Sequence, residues 1–298
     1  MIGLISNPYK DPGFKVLART ATILHSLGEE PVINRLTLAA KKTACPALRL
    51  ASPAEWKHCQ LIISIGGDGT FLSAVHSNYD SNIPIVGINM GSLGFMAEVQ
   101  PNDLDTALPR LVQGDYDIEE RMLLQASWQH AGEPADLCGY ALNEVLLTRG
   151  GNPRIIPIEL YIDGEFIELI SSDGLMVSTP TGSTGYALAA GGPIVHPSMK
   201  LLQVTPVCPH SLYNRSYIIP AGAAVTLALR QYPYSAVLSL DGRQDLAFSD
   251  TDQVTISQAD HVLRLVRLKA ENFFEALPNK LRGRAYPRKN QADMSALL

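Results

Sequence analysis

The stretch with the clearest chemical content is Leu61–Leu72, LIISIGGDGTFL. Leu61, Ile62, Ile63 and Ile65 form an apolar run that reads as a buried strand and stops at Gly66-Gly67-Asp68-Gly69. Three glycines around one carboxylate make a tight turn whose backbone can approach a ligand closely. Its N–H groups suit phosphate oxygens, and Asp68 is held at the carboxyl end of a strand, where open α/β sheets bind ligands. No Gly-Lys-Ser/Thr follows, so this is not a Walker loop. Leu72 stands where GxGxxG needs its last glycine, so it is not the dinucleotide fingerprint either. Taken alone, GGDG is equally an ordinary glycine turn with a solvated Asp.

A second candidate runs from Ser172-Asp173-Gly174-Leu175 through Ser178-Thr179-Pro180-Thr181-Gly182-Ser183-Thr184-Gly185-Tyr186 to Gly191-Gly192-Pro193-Ile194. Pro180 ends a strand, and Thr181 or Ser183 is placed to cap a helix continuing from Thr184. The hydroxyls and N–H groups suit the polar edges of a nucleotide, with Tyr186 available to stack on a base. Singly, each of these residues is also an ordinary cap or core aromatic.

The elements that must position these residues fall into two styles. Strands at Met1–Ser6, Pro31–Leu36, Leu61–Ile65 and Ile83–Ile88 alternate with helices at Phe14–Leu27, Thr70–His76 and Leu104–Val112, the last ending at Gly114. This predicts an α/β domain with a parallel sheet. Thr37–Pro53 has no clear pattern. After Asp115, short β-prone runs take over: Met122–Trp128, Tyr140–Leu147, Arg154–Ile162, Phe166–Ile170, Leu175–Ser178, Val225–Leu229, Ala236–Leu240 and Val254–Ile256. Asp163-Gly164 is a hairpin signal. A helical pattern returns at Ala270–Leu281, followed by a basic tail with Lys280, Arg282, Arg284, Arg288 and Lys289. The expected division is 1–117 as the α/β domain, 118–268 as a mainly β domain, and 269–298 as C-terminal helix and tail.

Composition limits the partners. The chain of 298 residues is 46% hydrophobic and 18% charged, as in a globular protein with ample core material. A net charge of −5 gives no electrostatic reason to expect nucleic acid or an anionic membrane. No apolar run approaches the roughly 18 residues of a membrane span, and MIGLISNPYK does not read as a signal peptide. Four scattered cysteines without a CxxC pair read as reduced thiols, and the cytoplasm is the expected location.

Four blocks in order, GGDGT at Gly66–Thr70, GxLGF at Gly91–Phe95, LNEV at Leu142–Val145 and SDGLMVSTPTGSTGY with GGPI between Ser172 and Ile194, resemble the NAD kinase family. The resemblance implies transfer of a phosphoryl group from ATP, or polyphosphate, to the 2′-hydroxyl of the adenosine ribose of NAD, with Mg²⁺ as the divalent cation. It implies that Asp68 is the general base, that Gly69 lies beside it, and that Phe95 lines the adenine pocket. Asn143 and Glu144 resemble the pair that binds the dinucleotide, and Asp173, Thr181, Thr184, Gly185 and Tyr186 match further NAD contacts. Weaker alignment adds Arg154, Arg243 and Asp241, each of which is equally a surface or turn residue. Gly185 stands where Ala is frequent, and Ala189 stands where the family commonly has Ser; if that missing hydroxyl is a nucleobase contact, affinity or NAD/NADH preference is expected to differ from relatives. A homodimer or homotetramer is implied, because a neighbouring subunit partly holds the second half of the dinucleotide. Competing readings are a lipid or sugar kinase sharing GGDG, and a non-catalytic NAD(P)-binding sensor.

Overall fold

The computed structural model describes residues 1–35, 37, 47–91, 95–211, 215–243, 245–269, 273–275, 277 and 278. By contact the chain forms two units: Met1–Glu119 with the described residues from Arg264 onward, and Glu120–Leu263. The expected three-way division does not include this return of the chain to the first unit.

In the first unit, β1 (Ile2–Ser6), β2 (Pro31–Ile33), β3 (Arg49–Leu50), β4 (Leu61–Gly66) and β5 (Ile85–Asn89) pair in parallel in the order β3-β2-β1-β4-β5. Leu265 adds a further parallel pairing with Ile85. The chain builds outward from β1 on one side, then returns to place β4 on the other. The topological switch point therefore lies between β1 and β4, at whose carboxyl ends such sheets bind ligands. Every residue of β1, β4 and β5 is buried, as in a parallel sheet covered on both faces.

Helices α1 (Lys15–Ser26) and α4 (Leu104–Gln113) bury Leu17, Leu24, Leu104 and Leu108 against Leu4, Ile63 and Ile65. On the alternate face, Trp56 of α2 (Pro53–Trp56) packs where a Cβ on Gly3 would lie 2.8 Å from the indole. Its Nε1 donates to Asn78 Oδ1 at 2.6 Å, just beyond α3 (Asp68–His76), in which Phe71 is fully buried. The start of α1 shows what spacing cannot reveal. Pro12–Phe14 form a 3-10 turn, and the buried Asp11 carboxylate accepts the N–H groups of Val16 and Leu17 at 3.0 and 2.9 Å, capping the helix from outside it. Gly114 ends α4 in the left-handed conformation, as expected.

The strands of the second unit, in chain order, are β6 (Asp117–Gln129), β7 (Asp136–Ala141), β8 (Glu144–Arg149), β9 (Ile156–Ile162), β10 (Glu165–Ser172), β11 (Gly174–Ser178), β12 (Leu201–Val207), β13 (Tyr217–Pro220), β14 (Val225–Leu229), β15 (Ala236–Leu240), β16 (Asp245–Phe248) and β17 (Gln253–Arg267). Strands β6 and β17 carry the chain into and out of the unit. Antiparallel β10-β9-β14-β17 faces a second antiparallel sheet, β13-β12-β11-β8-β15-β16, across one core containing Ile156, Ile158, Val145, Leu147, Val177, Val204 and Leu238. The β9–β10 hairpin turns at Asp163-Gly164 with both φ values positive, 51° and 83°, as Asp-Gly predicts.

Several expectations need correction. Tyr140–Leu147 is two strands, interrupted at Leu142-Asn143. The strand expected at Val254–Ile256 continues to Arg267, and β12, β13 and β16 were not anticipated. The helix expected from Thr184 is only a 3-10 turn, Gly182–Thr184, followed by the single turn α5 (Tyr186–Ala189). Of the helix expected over Ala270–Leu281, residues 273–275, 277 and 278 are helical; the rest and the basic tail lie outside the described residues. Among the described residues no helix is long and apolar enough to cross a membrane.

Candidate active site

In the first unit the GGDG turn closes β4 beside the switch point. Its glycines have different reasons. A Cβ on Gly66 would lie 2.2 Å from Thr70 Oγ1, so the missing side chain is what lets a helix begin directly after the strand. Accordingly α3 starts at Asp68 rather than at Thr70 as expected, with Gly67 as its extended N-cap. Asp68 is the first helical residue, where a carboxylate is favourable to the helix dipole, and its Oδ1 is buried. A Cβ on Gly67 or Gly69 would meet nothing within 4 Å, so packing does not require glycine at either position. The end of β5 is tied in by Met90 N–H to Gly66 O at 3.0 Å and Gly91 N–H to Asn89 Oδ1 at 3.1 Å. Phe95 is buried in the same unit, while Ser92, Leu93 and Gly94 lie outside the described residues.

In the second unit, antiparallel pairing gathers three strand ends at one edge of a sheet: the start of β8, the end of β11 and the end of β15. Ser178 pairs with Glu144, and Leu240 with Val145. This edge holds Asn143, Glu144, Thr181, Thr184, Gly185 and Asp241. The Leu142–Glu144 backbone is fixed from two sides. Thr179 N–H donates to Asn143 O at 2.9 Å and its hydroxyl donates to Leu142 O, while the Asp241 carboxylate accepts N–H groups from the other side. A Cβ on Gly182 would lie 2.0 Å from Asn143 O, so the glycine permits this close approach. A Cβ on Gly185 would sit 3.2 Å from Glu144 Oε2 and 3.8 Å from Asn143 Cγ, which places both side chains of the pair beside Gly185.

Neither Thr181 nor Ser183 caps the helix, contrary to expectation. Thr181 Oγ1 accepts from the buried Arg121 guanidinium at 3.1 Å, and Ser183 Oγ accepts Val195 N–H at 3.0 Å, locking the turn to the chain beyond GGPI. With α5 only one turn long, no helix N-terminus is available there as an anion site. Tyr186 and Ala189 are solvent-exposed on α5, and Thr184 is buried, its hydroxyl donating to Thr181 O at 3.1 Å. Glu144 is 9% exposed, and burial, reinforced by the charge of Asp241, raises its carboxyl to about 7, partly countered by the Tyr186 N–H.

The ATP-NAD kinase N-terminal domain matches residues 4–116, and the ATP-NAD kinase C-terminal domain matches residues 142–268. The chain belongs to the NAD kinase family. It is 39% identical to the NAD kinase of Heliobacterium modesticaldum over 282 residues, 94% of this chain and 98% of that protein. It is 35% identical to the NAD kinase of Natranaerobius thermophilus over 283 residues, covering 95% and 98%. Among solved structures, yeast NADH kinase complexed with NADH shares the fold at a TM-score of 0.85 and 22% identity, over 97% of this chain and 89% of that one. An NAD kinase from Archaeoglobus fulgidus in complex with ATP matches at 0.73 and 25% identity, over 95% and 99%. As an NAD kinase by family, the chain is a phosphotransferase with an alcohol group as acceptor.

The site residues expected of an NAD kinase are not all brought together. Asp173 immediately precedes β11, at the opposite end from Ser178, and the five residue steps between them span about 16 Å. Its carboxylate accepts from Arg149 Nε at 2.8 Å. Arg154 follows the far end of β8, exposed, with its guanidinium 5.6 Å from the Tyr234 ring centroid. Arg243 is exposed beside Asp241, and its N–H closes the turn onto Leu240 O at 3.1 Å. Sequence reasoning overlooked Arg121 and Arg149, which carry no local signal, and Thr179 and Gly182, which stood inside the hydroxyl- and glycine-rich block without a role of their own.

Proposed function

We propose that this NAD kinase transfers the γ-phosphoryl group of ATP to the 2′-hydroxyl of the adenosine ribose of NAD, giving NADP and ADP. Asp68 is the general base. The 2′-oxygen forms its bond to the γ-phosphorus as the bond to the β,γ-bridging oxygen breaks, and the hydroxyl proton passes to the Asp68 carboxylate. The observation that carries this reading is the fixed Asp68 at the first turn of α3, flanked by Gly67 and Gly69 that face open space. Open flanks leave room for phosphate and ribose oxygens, and positioning is most of what phosphoryl transfer asks of a protein.

In the first unit Gly69 lies beside Asp68 and Phe95 lines the adenine pocket. In the second unit Asn143 and Glu144 take ribose hydroxyls and a base amine, and Thr181, Thr184, Gly185, Tyr186 and Ala189 shape the same dinucleotide site. Asp173 contacts NAD, and the guanidinium groups of Arg154 and Arg243 pair with phosphate, Asp173 and Arg154 from the far end of the sheet. That separation supports a homo-oligomer in which a second subunit completes the site, and we place the protein in the cytoplasm. Among the described residues no group of three or more His, Cys, Asp or Glu side chains is arranged to hold a metal. In this reading Mg²⁺ enters with the triphosphate as Mg-ATP, where it offsets phosphate charge.

The test is a coupled dehydrogenase assay for NADP, with NAD or NADH as acceptor and Mg-ATP or polyphosphate as donor. Formation of NADP or NADPH is expected. Turnover of a lipid or sugar without it would overturn the reading, and so would tight NAD binding with no product at any donor concentration.

A further inference from the structure

Asp241 is the first central residue of the Leu240–Arg243 turn that follows β15 on the way to β16, with φ 51° followed by 66° at Gly242. An Asp-Gly turn of this kind ordinarily leaves its carboxylate in solvent. Here the residue is 8% exposed, and its two oxygens take three consecutive backbone donors. Oδ2 accepts Leu142 N–H at 2.8 Å, and Oδ1 accepts Asn143 N–H at 2.8 Å and Glu144 N–H at 3.1 Å. Asp241 N–H returns a bond to Glu144 O at 3.0 Å. In a continuous antiparallel strand such donors would alternate between neighbouring strands. Drawn to one carboxylate, they break the expected Tyr140–Leu147 strand into β7 and β8 at Leu142-Asn143, where the side chains of Asn143 and Glu144 stand beside Gly185.

We propose that Asp241 is a positioning residue for dinucleotide binding, touching no substrate and acting through the Leu142–Glu144 backbone from which Asn143 and Glu144 are presented. This rests on the reading that Asn143 and Glu144 hold the dinucleotide. A turn aspartate that only closed the β15–β16 hairpin would need none of the three bonds, since Arg243 N–H to Leu240 O already closes it.

The full-length protein is compared with Asp241→Asn and Asp241→Ala, and with Asn143→Ala in parallel, by calorimetry with NAD and by steady-state kinetics. A hydrogen bond to a charged group contributes roughly tenfold to a hundredfold to the folding equilibrium, and only the part of the three-bond loss that displaces Asn143 and Glu144 reaches the dinucleotide affinity. The expected result is an NAD KM and Kd raised about tenfold in Asp241→Asn and about a hundredfold in Asp241→Ala, with kcat at saturating NAD and the KM for ATP within about threefold of wild type. A second readout follows from the negative charge that Asp241 places next to Glu144. In Asp241→Asn the pH midpoint of NAD affinity moves to more acid pH, a change that loss of hairpin stability alone would not produce. If Asp241→Ala does not fold, Asp241→Asn carries the test. NAD binding within twofold of wild type in Asp241→Asn, while Asn143→Ala loses it, would overturn the proposal and leave the dinucleotide reading standing. An equal loss for ATP and NAD would also overturn it. Unchanged NAD binding in Asn143→Ala would remove the dinucleotide reading itself, and the positioning role with it.

Discussion

At Glu144 two unfavourable influences act on one carboxylate: burial first, and the neighbouring charge of Asp241 second. Folding raises the pKa from 4.5 to about 7, so the folded chain holds this proton more tightly than the unfolded one. The resulting stabilisation is complete below about pH 4.5 and is lost as pH rises through about 7. Glu144→Gln, neutral at every pH, should therefore melt like wild type at pH 4 and be more stable at pH 8, by at most about 3 kcal/mol. Melting curves that differ equally at both pH values would refute this. Asp68, the proposed base, makes a different demand, because the role assigned to it falls in the transfer itself. Asp68→Asn should keep NAD affinity and lose at least about a hundredfold in kcat, and turnover within about threefold of wild type would exclude the base role. Both residues stand out in the sequence as members of the GGDG and LNEV motifs. What the LNEV motif hid was its support, since the Thr179 hydroxyl donates to a carbonyl 37 residues away and the Asp241 carboxylate accepts an N–H 98 residues away, which leaves no local spacing to read.

Among the elements, the two glycine-rich turns separate packing from binding. Gly69 lies inside the first turn of α3 with open space around its absent side chain. Gly69→Ala should raise the stability of the unliganded protein by about 0.5 kcal/mol, because alanine loses less entropy in a helix. The same change should raise the KM for ATP or NAD, as the methyl group enters the space assigned to substrate. Gly182→Ala is the contrary case, since its methyl group would strike the Asn143 carbonyl. It should lower Tm and weaken NAD binding together, and a Tm equal to wild type would show that the loop yields. The alternation of buried strands and amphipathic helices made the first unit readable, down to Gly114 at the end of α4. The second unit was harder because β12, LLQVTPV, is buried at every position and shows no alternation, while β16 has only four residues.

On the scale of the whole molecule, β10 presents Phe166, Ile167 and Leu169 exposed on a strand at the end of its sheet. Open apolar edges of this sort are normally covered. Light scattering at micromolar concentration should give a mass at least twice the 32.3 kDa of one chain, and a monomer would contradict the proposal that a second subunit completes the site. The change of style near Asp115 disclosed that a second unit begins. Nothing in composition disclosed that the chain comes home: Val266 is buried with the first unit's core, and Glu98 receives the Arg267 guanidinium and the N–H groups of Leu268 and Lys269. The second unit is thus a guest inserted in a host. Severing the gene at codon 117 would yield a host without its closing segment, its core opened at Val266 and the Glu98 carboxylate bereft of its donors. Excision has to be done by joining both stumps, near Glu119 and Arg264, with a short bridge.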